Sequence, residues 1–289
     1  MHDELGIDQD LQLPSLQGLG YAAPLTPHAA TLLGVQSGIP VLPCNPDGGL
    51  NQVGSDALDE RIMTLSMGTS GAMRLSVAAP TLSPAQSTWC YLSSKGYLAG
   101  AATSGCSNCV QWAKERLFPP SATFAEIEKP VRAENEVPIF LPFLFGERSP
   151  GWDATRRGAF INLHAFHTAH TQYQAVLEGV IYNLNQCYIE LQRSAGTIDT
   201  IKLSGGVLHS AIWSQMCADI LGTPLVVDAS AQSSLMGGAI LALEFLGQTI
   251  PSEFVQSSGR TIYPNEAAHE LYQKRFEEYL YWYRMTASQ

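Results

Sequence analysis

The order of strand-like and helix-like segments predicts an α/β domain with a mixed sheet and flanking helices. Residues 201–227 read as a strand, a glycine turn, a helix that ends at Gly222, and a second strand. Upstream, residues 61–77 and 89–101 each contain two β-like runs joined by a glycine-containing turn, which predicts two hairpins. Apolar residues recur at helical spacing over 171–194, which predicts one long helix of six turns.

Composition limits the classes of protein to which this chain could belong. The chain has 289 residues, a hydrophobic content of 45% and a formal net charge of -10, and an acidic balance argues against a nucleic-acid surface. The apolar runs are short, so we expect no membrane span. The acidic N-terminus has no apolar stretch of the kind found in a secretory signal, so we expect none. Six unevenly spaced cysteines are typical of reduced thiols, which predicts a cytoplasmic protein. Cys106 and Cys109 form a lone CxxC, which we expect to pack within a helix.

The remaining segments complete the predicted architecture. Residues 1–38 are expected to be an irregular lead-in segment that contains one short helix over 26–33, with Thr26 as its N-cap. Further helices are predicted at 50–57, 108–117, 233–246 and 266–284, and short apolar strands at 39–43 and 138–145. This order suits a ribonuclease H-like or actin-like ATPase domain that spans residues 39–289.

Asp47 is the first candidate for chemistry. It follows an apolar strand and lies in a Pro-Asp-Gly-Gly turn just before the helix predicted from Leu50. A carboxylate at the end of a strand can act as a general base on a substrate hydroxyl. An aspartate in such a turn, or at a helix N-cap, is also common for purely structural reasons.

Two glycine turns are candidates for contacts with a phosphate or a ligand backbone. The turn Gly68-Thr69-Ser70-Gly71 offers backbone N–H groups and a hydroxyl between two strands, although many ordinary hairpins look the same. Gly205 and Gly206 allow another group to approach the backbone closely, although an ordinary strand-to-helix connection has the same pattern.

Several of these segments together resemble one family. SGG at 204–206, followed by WSQMCADILGTPLVV and SSLMGGAILAL, resembles the second signature of the FGGY carbohydrate kinases. PVLPCNPDGGLNQVG at 40–54 resembles their catalytic-aspartate segment in its gluconate-kinase form, and residues 146–158 resemble their GER-P, W-D and RG run. Those kinases have two actin-like domains, with ATP held mainly by the second and the sugar in the cleft between them. The chain is therefore similar to the C-terminal, ATP-binding domain.

The resemblance implies a role for each motif residue. Asp47 would accept the proton of the attacking sugar hydroxyl, and Asp47 and Gly48 would contact the substrate. The residues implied in nucleotide binding are Gly68, Thr69, Gly105, Ser107, Gln111, Gly205, Gly206 and Ser210. Cys106 and Ser107 depart from the pattern, because members similar to gluconate kinase tend to have two adjacent glycines there.

Other charged groups near these motifs are open to a structural interpretation. Arg148 and Arg157 are expected to brace their loop through salt bridges with Glu147 and Asp153 at least as readily as they would bind phosphate. No metal-ligating residue is assigned. The spacing of the histidines at 164, 167 and 170 would suit a metal site, but no acidic or cysteine residue completes a tetrahedral set of ligands.

The resemblance implies ATP-dependent phosphorylation of a sugar or sugar acid, with ATP and Mg²⁺ required, gluconate as the best substrate guess and xylulose or another pentulose as the alternative. An N-terminal sugar-binding domain is expected to be absent from this sequence, so this chain alone is expected to be inactive. The face around Asp47 and residues 68–71 would then be open or covered by a second copy in a homodimer. A nucleotide-binding or interaction module without catalysis is the rival hypothesis. No nucleic-acid or membrane partner is expected.

Overall fold

The computed structural model describes residues 20–43, 45–227, 232–255 and 259–287. The first 19 residues of the predicted lead-in segment therefore lie outside the described residues. The strands are β1 (Ala23–Pro24), β2 (Pro40–Val41), β3 (Ile62–Met67), β4 (Gly71–Val77), β5 (Trp89–Ser93), β6 (Gly96–Thr103), β7 (Ile139–Leu141), β8 (Ala159–Ile161), β9 (Thr200–Gly205), β10 (Leu225–Val227) and β11 (Thr261–Ile262). The helices are α1 (Pro27–Leu33), α2 (Asp47–Gly54), α3 (Ser107–Leu117), α4 (Phe124–Glu128), α5 (Ala169–Ala195), α6 (Ala211–Leu221), α7 (Ser233–Phe245), α8 (Ser252–Val255) and α9 (Glu266–Met285), with a short 3₁₀ helix at Gly206–His209.

A seven-stranded mixed sheet forms the centre of the molecule, in the order β11-β10-β9-β3-β4-β6-β5. Strands β3, β9 and β10 run parallel, and the two hairpins extend the sheet in antiparallel fashion. In the parallel pair β3–β9, Met67 lies opposite Gly205. The turns that follow these two strands therefore emerge side by side at one edge of the sheet.

The prediction of two hairpins, of the long helix and of the strand–helix–strand unit is confirmed. Helix α5 extends the predicted 171–194 by a few residues, with the Thr168 hydroxyl accepting from the N–H of Thr171 at its start. Gly222 ends α6 in the left-handed conformation, at φ 62°. Strands β1, β8 and β11 and helix α8 were not predicted, because they are too short for hydrophobic periodicity to mark them.

Helix α5 covers one face of the sheet and contributes many residues to the core. Its 27 residues include a long buried run from Tyr173 to Tyr188 that packs against β4, β6, α3, α6 and α9. Leu65, Met73 and Leu75 meet it from the sheet, and each of the three is fully buried. An almost continuously buried helix of this kind fixes the positions of α3 and α6 relative to the strand ends.

Helix α2 packs on the other face of the sheet, and α7 packs against α2 through glycine. A Cβ added at Gly54 would lie 1.8 Å from the Ser233 carbonyl oxygen, and one at Gly237 would lie 2.0 Å from the Leu50 carbonyl oxygen. The two backbones therefore meet too closely for any side chain at these positions.

The structure corrects the predicted start of α2. The helix begins at Asp47 rather than at Leu50, with Pro46 as N-cap, so Asp47 lies in the first helical turn and not in a separate turn. Gly48 and Gly49 favour a turn by propensity, but they lie where the helix presses on the sheet. A Cβ on Gly48 would be 2.7 Å from the Tyr91 hydroxyl, and one on Gly49 would be 2.4 Å from the Ser93 hydroxyl. Close packing, which sequence propensity does not report, explains both glycines.

The loop after β7 is braced by a different arginine from those predicted. Arg156 and Glu147 form a buried ion pair at 2.9 Å, and the Arg156 guanidinium lies 3.9 Å from the ring centre of Tyr283. Arg157 is exposed and donates to the backbone carbonyls of Ala154 and Arg156, and Arg148 is exposed. The ion-pair partner of Glu147 is therefore Arg156 rather than Arg148 or Arg157, because Arg156 takes the buried position.

The two cysteines of the CxxC pack in the core. Cys106 and Cys109 are fully buried free thiols at the start of α3, and the Cys109 thiol contacts the Pro142 carbonyl oxygen at 3.6 Å. Burial raises the pKa of each thiol to about 12. The expectation that this motif contributes to helix packing is confirmed.

Candidate functional site

A cavity of about 620 Å³ opens at the sheet edge where β3 and β9 end. In α/β folds, ligands bind outside the carboxyl ends of strands, because the turns there expose backbone groups and lead into helix N-termini. The cavity is lined by Thr69, Ser107, Asn108, Val110, Gln111, Phe124, Glu128, Gly206, His209, Ser210 and Trp213. The structure thus brings together five predicted nucleotide residues: Thr69, Ser107, Gln111, Gly206 and Ser210.

The Thr69 turn is held against the start of α3. The Ser107 N–H donates to the Gly68 carbonyl oxygen at 3.0 Å, and the Asn108 N–H donates to the Thr69 carbonyl oxygen at 3.4 Å. Gly68 lies behind the cavity in this contact. The backbone N–H of Ser107 is therefore already used in this contact and is not free to bind a ligand.

The remaining predicted glycines differ in what they contact. A Cβ on Gly105 would lie 2.2 Å from the Pro142 carbonyl oxygen, so this buried glycine serves packing. Gly205 has φ +96°, and a Cβ there would lie 2.5 Å from the Met67 carbonyl oxygen. Neither glycine lines the cavity. Gly206 does line it, and a Cβ there would meet its nearest atoms, the Met67 carbonyl oxygen and the Ser107 hydroxyl, only at 3.7 Å.

Ser210 and Glu128 form a polar group at the α6 end of the cavity. The Ser210 hydroxyl accepts from the Trp213 N–H at 2.9 Å, which caps α6, and donates to Glu128 Oε2 at 2.6 Å. The Tyr173 hydroxyl donates to Glu128 Oε1 at 3.0 Å. Burial, reinforced by the Glu128 carboxylate, raises the pKa of Tyr173 well above its usual range, which keeps this phenol a donor.

Asp47 lies on a separate polar surface formed by α2, β4 and β5. Its side chain is exposed, and its backbone carbonyl accepts from the Ser234 hydroxyl at 3.4 Å. Arg74 and Tyr91 lie beside it, because a Cβ on Gly48 would be 2.6 Å from Arg74 Nε. Burial raises the pKa of Tyr91, which the Arg74 guanidinium opposes and the Asp47 carboxylate reinforces. This surface places a carboxylate, a guanidinium and a phenol together.

Two donors on this surface have no partner among the described residues. The Nε of Arg74 and the indole Nε1 of Trp89 are both buried and make no hydrogen bond. Arg74 and Trp89 are linked across the sheet through Gly100, which pairs with both. The Trp89 ring stacks on Tyr91 at 4.9 Å between ring centres. Unpaired buried donors next to a carboxylate are typical of a surface that receives a polar ligand.

Six of the eleven lining residues were not predicted from the sequence: Asn108, Val110, Phe124, Glu128, His209 and Trp213. Trp213 belonged to a recognised motif but was taken only as part of a helix. For Glu128 one local signal existed, since Thr123 and Glu126 form a capping box that marks the start of α4. Nothing local indicated that this helix would reach the cavity.

Metal-binding clusters and membrane-spanning helices are both absent from the described residues. Within the described residues, no group of three or more histidine, cysteine, aspartate or glutamate side chains is arranged to hold a metal ion. The Nδ1 of His167 accepts from the backbone N–H of His164 at 3.0 Å. None of the helices in the described ranges combines the length and the apolar character that a bilayer crossing requires.

Comparisons with known proteins agree with this geometry. The model of the FGGY family of carbohydrate kinases, C-terminal domain, matches residues 63–244. A gluconokinase of Bacillus subtilis (strain 168) is 29% identical over 237 residues, which cover 77% of this chain and 46% of that protein. A ligand-bound xylulose kinase from Lactobacillus acidophilus superposes with a TM-score of 0.92 at 31% identity, covering 100% of this chain and 60% of that one. A gluconate kinase from the same organism gives a TM-score of 0.91 at 31% identity, covering 99% and 60%.

The chain therefore belongs to the FGGY family of carbohydrate kinases and contains that family's C-terminal domain. The predicted α/β fold of actin-like ATPase type is confirmed by the seven-stranded mixed sheet and by these structural neighbours. The chain spans about half the length of the curated relatives that it matches.

Proposed function

We propose that this chain is the nucleotide-binding half of an ATP-dependent carbohydrate kinase that acts in the cytoplasm. The observation that carries the proposal is that Thr69, Ser107, Gln111, Gly206 and Ser210, each assigned to nucleotide binding from the sequence, line one cavity at the carboxyl edge of the sheet. A polar turn at one part of the cavity and an aromatic side at another suit a phosphate chain and a base.

Asp47 is proposed as the general base. Its exposed carboxylate would accept the proton of the sugar hydroxyl while the hydroxyl oxygen bonds to the γ-phosphorus of ATP. The bond between that phosphorus and the bridging oxygen breaks, and ADP leaves. The position of Asp47 in the first turn of α2 is fixed because Gly48 and Gly49 press on the sheet.

Mg²⁺ is proposed to accompany the nucleotide. Mg²⁺ usually keeps several waters and binds substrate phosphates, so phosphate oxygens and water would fill most of its coordination positions. We assign no residue of this chain to it.

A sugar acid is the substrate that the Asp47 surface favours over a neutral pentulose. Arg74 lies beside Gly48 and hydrogen-bonds to Tyr91, but it forms no salt bridge with any described residue and its Nε has no hydrogen-bond partner. A guanidinium binds a carboxylate through two parallel hydrogen bonds, which gives it a specific use for gluconate. The gluconokinase relatives are consistent with this choice, whereas the xylulose kinase relatives support the alternative.

Kinetics of Arg74→Gln, in a form that joins this domain to a sugar-binding domain, test the substrate. A lost charged hydrogen bond costs about 1.5–3 kcal/mol, so kcat/KM for gluconate should fall by roughly 10- to 150-fold. The value for xylulose should change little. Equal losses for both sugars would show that Arg74 only supports the fold, and xylulose as the better substrate of the unaltered protein would exclude the sugar acid.

Titration calorimetry with ATP and a coupled kinase assay separate the proposed function from its rival. Binding of ATP together with turnover in the joined form supports a kinase. Binding without turnover in that form would support an inactive nucleotide-binding module. Absence of any nucleotide binding would contradict both.

A further inference from the structure

The cavity contains one charged group whose position does not follow from phosphate binding. Glu128 is 7% exposed, lies at the end of α4 and lines the cavity. No lysine or arginine lines the cavity, and Glu128 forms no salt bridge with any described residue. A buried carboxylate here repels the phosphates of a nucleotide, so the phosphate chain must lie away from it.

The hydrogen bonds of Glu128 leave acceptor capacity toward the cavity. Tyr173 and Ser210 each donate one hydroxyl hydrogen to it, one to each oxygen. An ionised carboxylate has about four lone-pair sites, so two of them remain. Since Tyr173 is fully buried and Ser210 caps α6, both hydroxyls hold the carboxylate in one orientation.

The surroundings of Glu128 suit a flat heterocycle. Phe124 and Trp213 line the same cavity, as does Gly206, which offers backbone without a side chain. The Trp213 indole is fixed by its hydrogen bond to the Leu177 carbonyl oxygen at 3.3 Å. A base held among these residues would turn one edge toward the carboxylate, and that edge must carry a hydrogen-bond donor.

We propose that Glu128 is the residue that selects the base, accepting a hydrogen bond from the 6-amino group of adenine, while the phosphates extend toward the Thr69 turn. This inference rests on the proposed nucleotide-binding function and adds to it the residue that distinguishes ATP from nucleotides with a 6-oxo group. Inosine presents an acceptor where adenosine presents a donor. Two acceptors facing each other without a hydrogen repel, and the carboxylate would remain unpaired.

Equilibrium binding of ATP and ITP to the 289-residue chain tests the proposal directly, because every residue involved lies in this chain. Titration calorimetry with the unaltered protein should show ATP bound about 10- to 100-fold more tightly than ITP, the range of one charged hydrogen bond. The Glu128→Gln variant has a side-chain N–H₂ that can donate to the 6-oxo group. In that variant the ratio should fall to about threefold or less, with ITP binding improved in absolute terms.

Glu126→Gln is the matched control. Glu126 lies on the same short helix, and glutamine is accepted at its capping-box position, so α4 should persist. This variant should keep the preference of the unaltered protein. Thermal unfolding of both variants reports whether the fold is retained, and a preference lost equally in both would contradict the assignment to Glu128.

The outcomes separate this inference from the function on which it rests. Tight and equal binding of ATP and ITP by the unaltered protein would overturn the role of Glu128 and leave nucleotide binding intact. An unchanged preference in Glu128→Gln would do the same. A chain that binds neither nucleotide would overturn both proposals together.

Discussion

A valine at position 206 should weaken nucleotide binding without unfolding the chain. Gly206 begins the short 3₁₀ helix and does not adopt a positive φ, so the backbone accepts any residue there. A Cβ would sit 3.7 Å from its nearest neighbours, which is ordinary van der Waals contact. Valine adds two further methyl groups, each about 1.5 Å beyond the Cβ. The free protein has room for them in the open cavity, whereas a bound base would compete with them.

The size of the effect follows from overpacking. Forcing extra methyl groups into an occupied site typically costs about 1–3 kcal/mol. A tenfold change in affinity corresponds to about 1.4 kcal/mol, so the Kd for ATP should rise by roughly 5- to 150-fold. Gly206→Ala, with a single methyl group, should lie at or below the lower end of this range.

Titration calorimetry with ATP, accompanied by thermal unfolding, measures both halves of the prediction. Gly238→Val is the matched control, because a Cβ at Gly238 on α7 would meet nothing within 4 Å and the position lies outside the cavity lining. The control should bind ATP like the unaltered protein. Unchanged ATP affinity in Gly206→Val would refute the placement of the base, and a large loss of Tm would refute the claim that this glycine is dispensable for folding.

Two further predictions concern Asp47 and the buried thiols. In a catalytically active form that includes a sugar-binding domain, Asp47→Asn should lower kcat by about 10²- to 10⁴-fold, because the general base is lost. The Kd for ATP should change little. Near-normal turnover would show that Asp47 serves only the start of α2. The Cys106 and Cys109 thiols, whose pKa values burial raises to about 12, should react with a thiol reagent at pH 8 only after unfolding, and rapid labelling of the folded chain at either cysteine would contradict their burial.

The hairpins and the strand–helix–strand unit were predictable because their signals are local. Alternating apolar residues around Gly68–Gly71 define one hairpin, and Gly222 ends α6 in the left-handed conformation that glycine favours. The long helix α5 was visible for the same reason, since its buried face repeats every three to four residues. These features need only neighbouring residues to be recognised.

The start of α2 and the buried ion pair depend on contacts between distant parts of the chain. Gly48 and Gly49 looked like turn residues because propensity favours a turn, whereas the nearness of Tyr91 and Ser93 requires small residues within a helix. Adjacent arginines at 156 and 157 are equivalent by type, and only the fold decides that Arg156 meets Glu147.

Some residues of the candidate site could be predicted from the sequence, and others could not. The resemblance to a family supplied Thr69, Gly206 and Ser210, which the structure brings to one cavity. Glu128 was not predicted as a site residue, because the residues whose hydroxyls bind it, Tyr173 and Ser210, lie 45 and 82 residues away in the chain.

Hydrogen exchange of the 289-residue chain with and without ATP tests the central claim, that the cavity at the end of β3 and β9 holds the nucleotide. Protection from exchange should increase in peptides that cover residues 68–71, 107–111 and 206–213, which surround the cavity. Peptides that contain none of the lining residues, such as those covering α8, should show no change. Protection confined to other segments, or no protection at ATP concentrations well above physiological levels, would contradict the account.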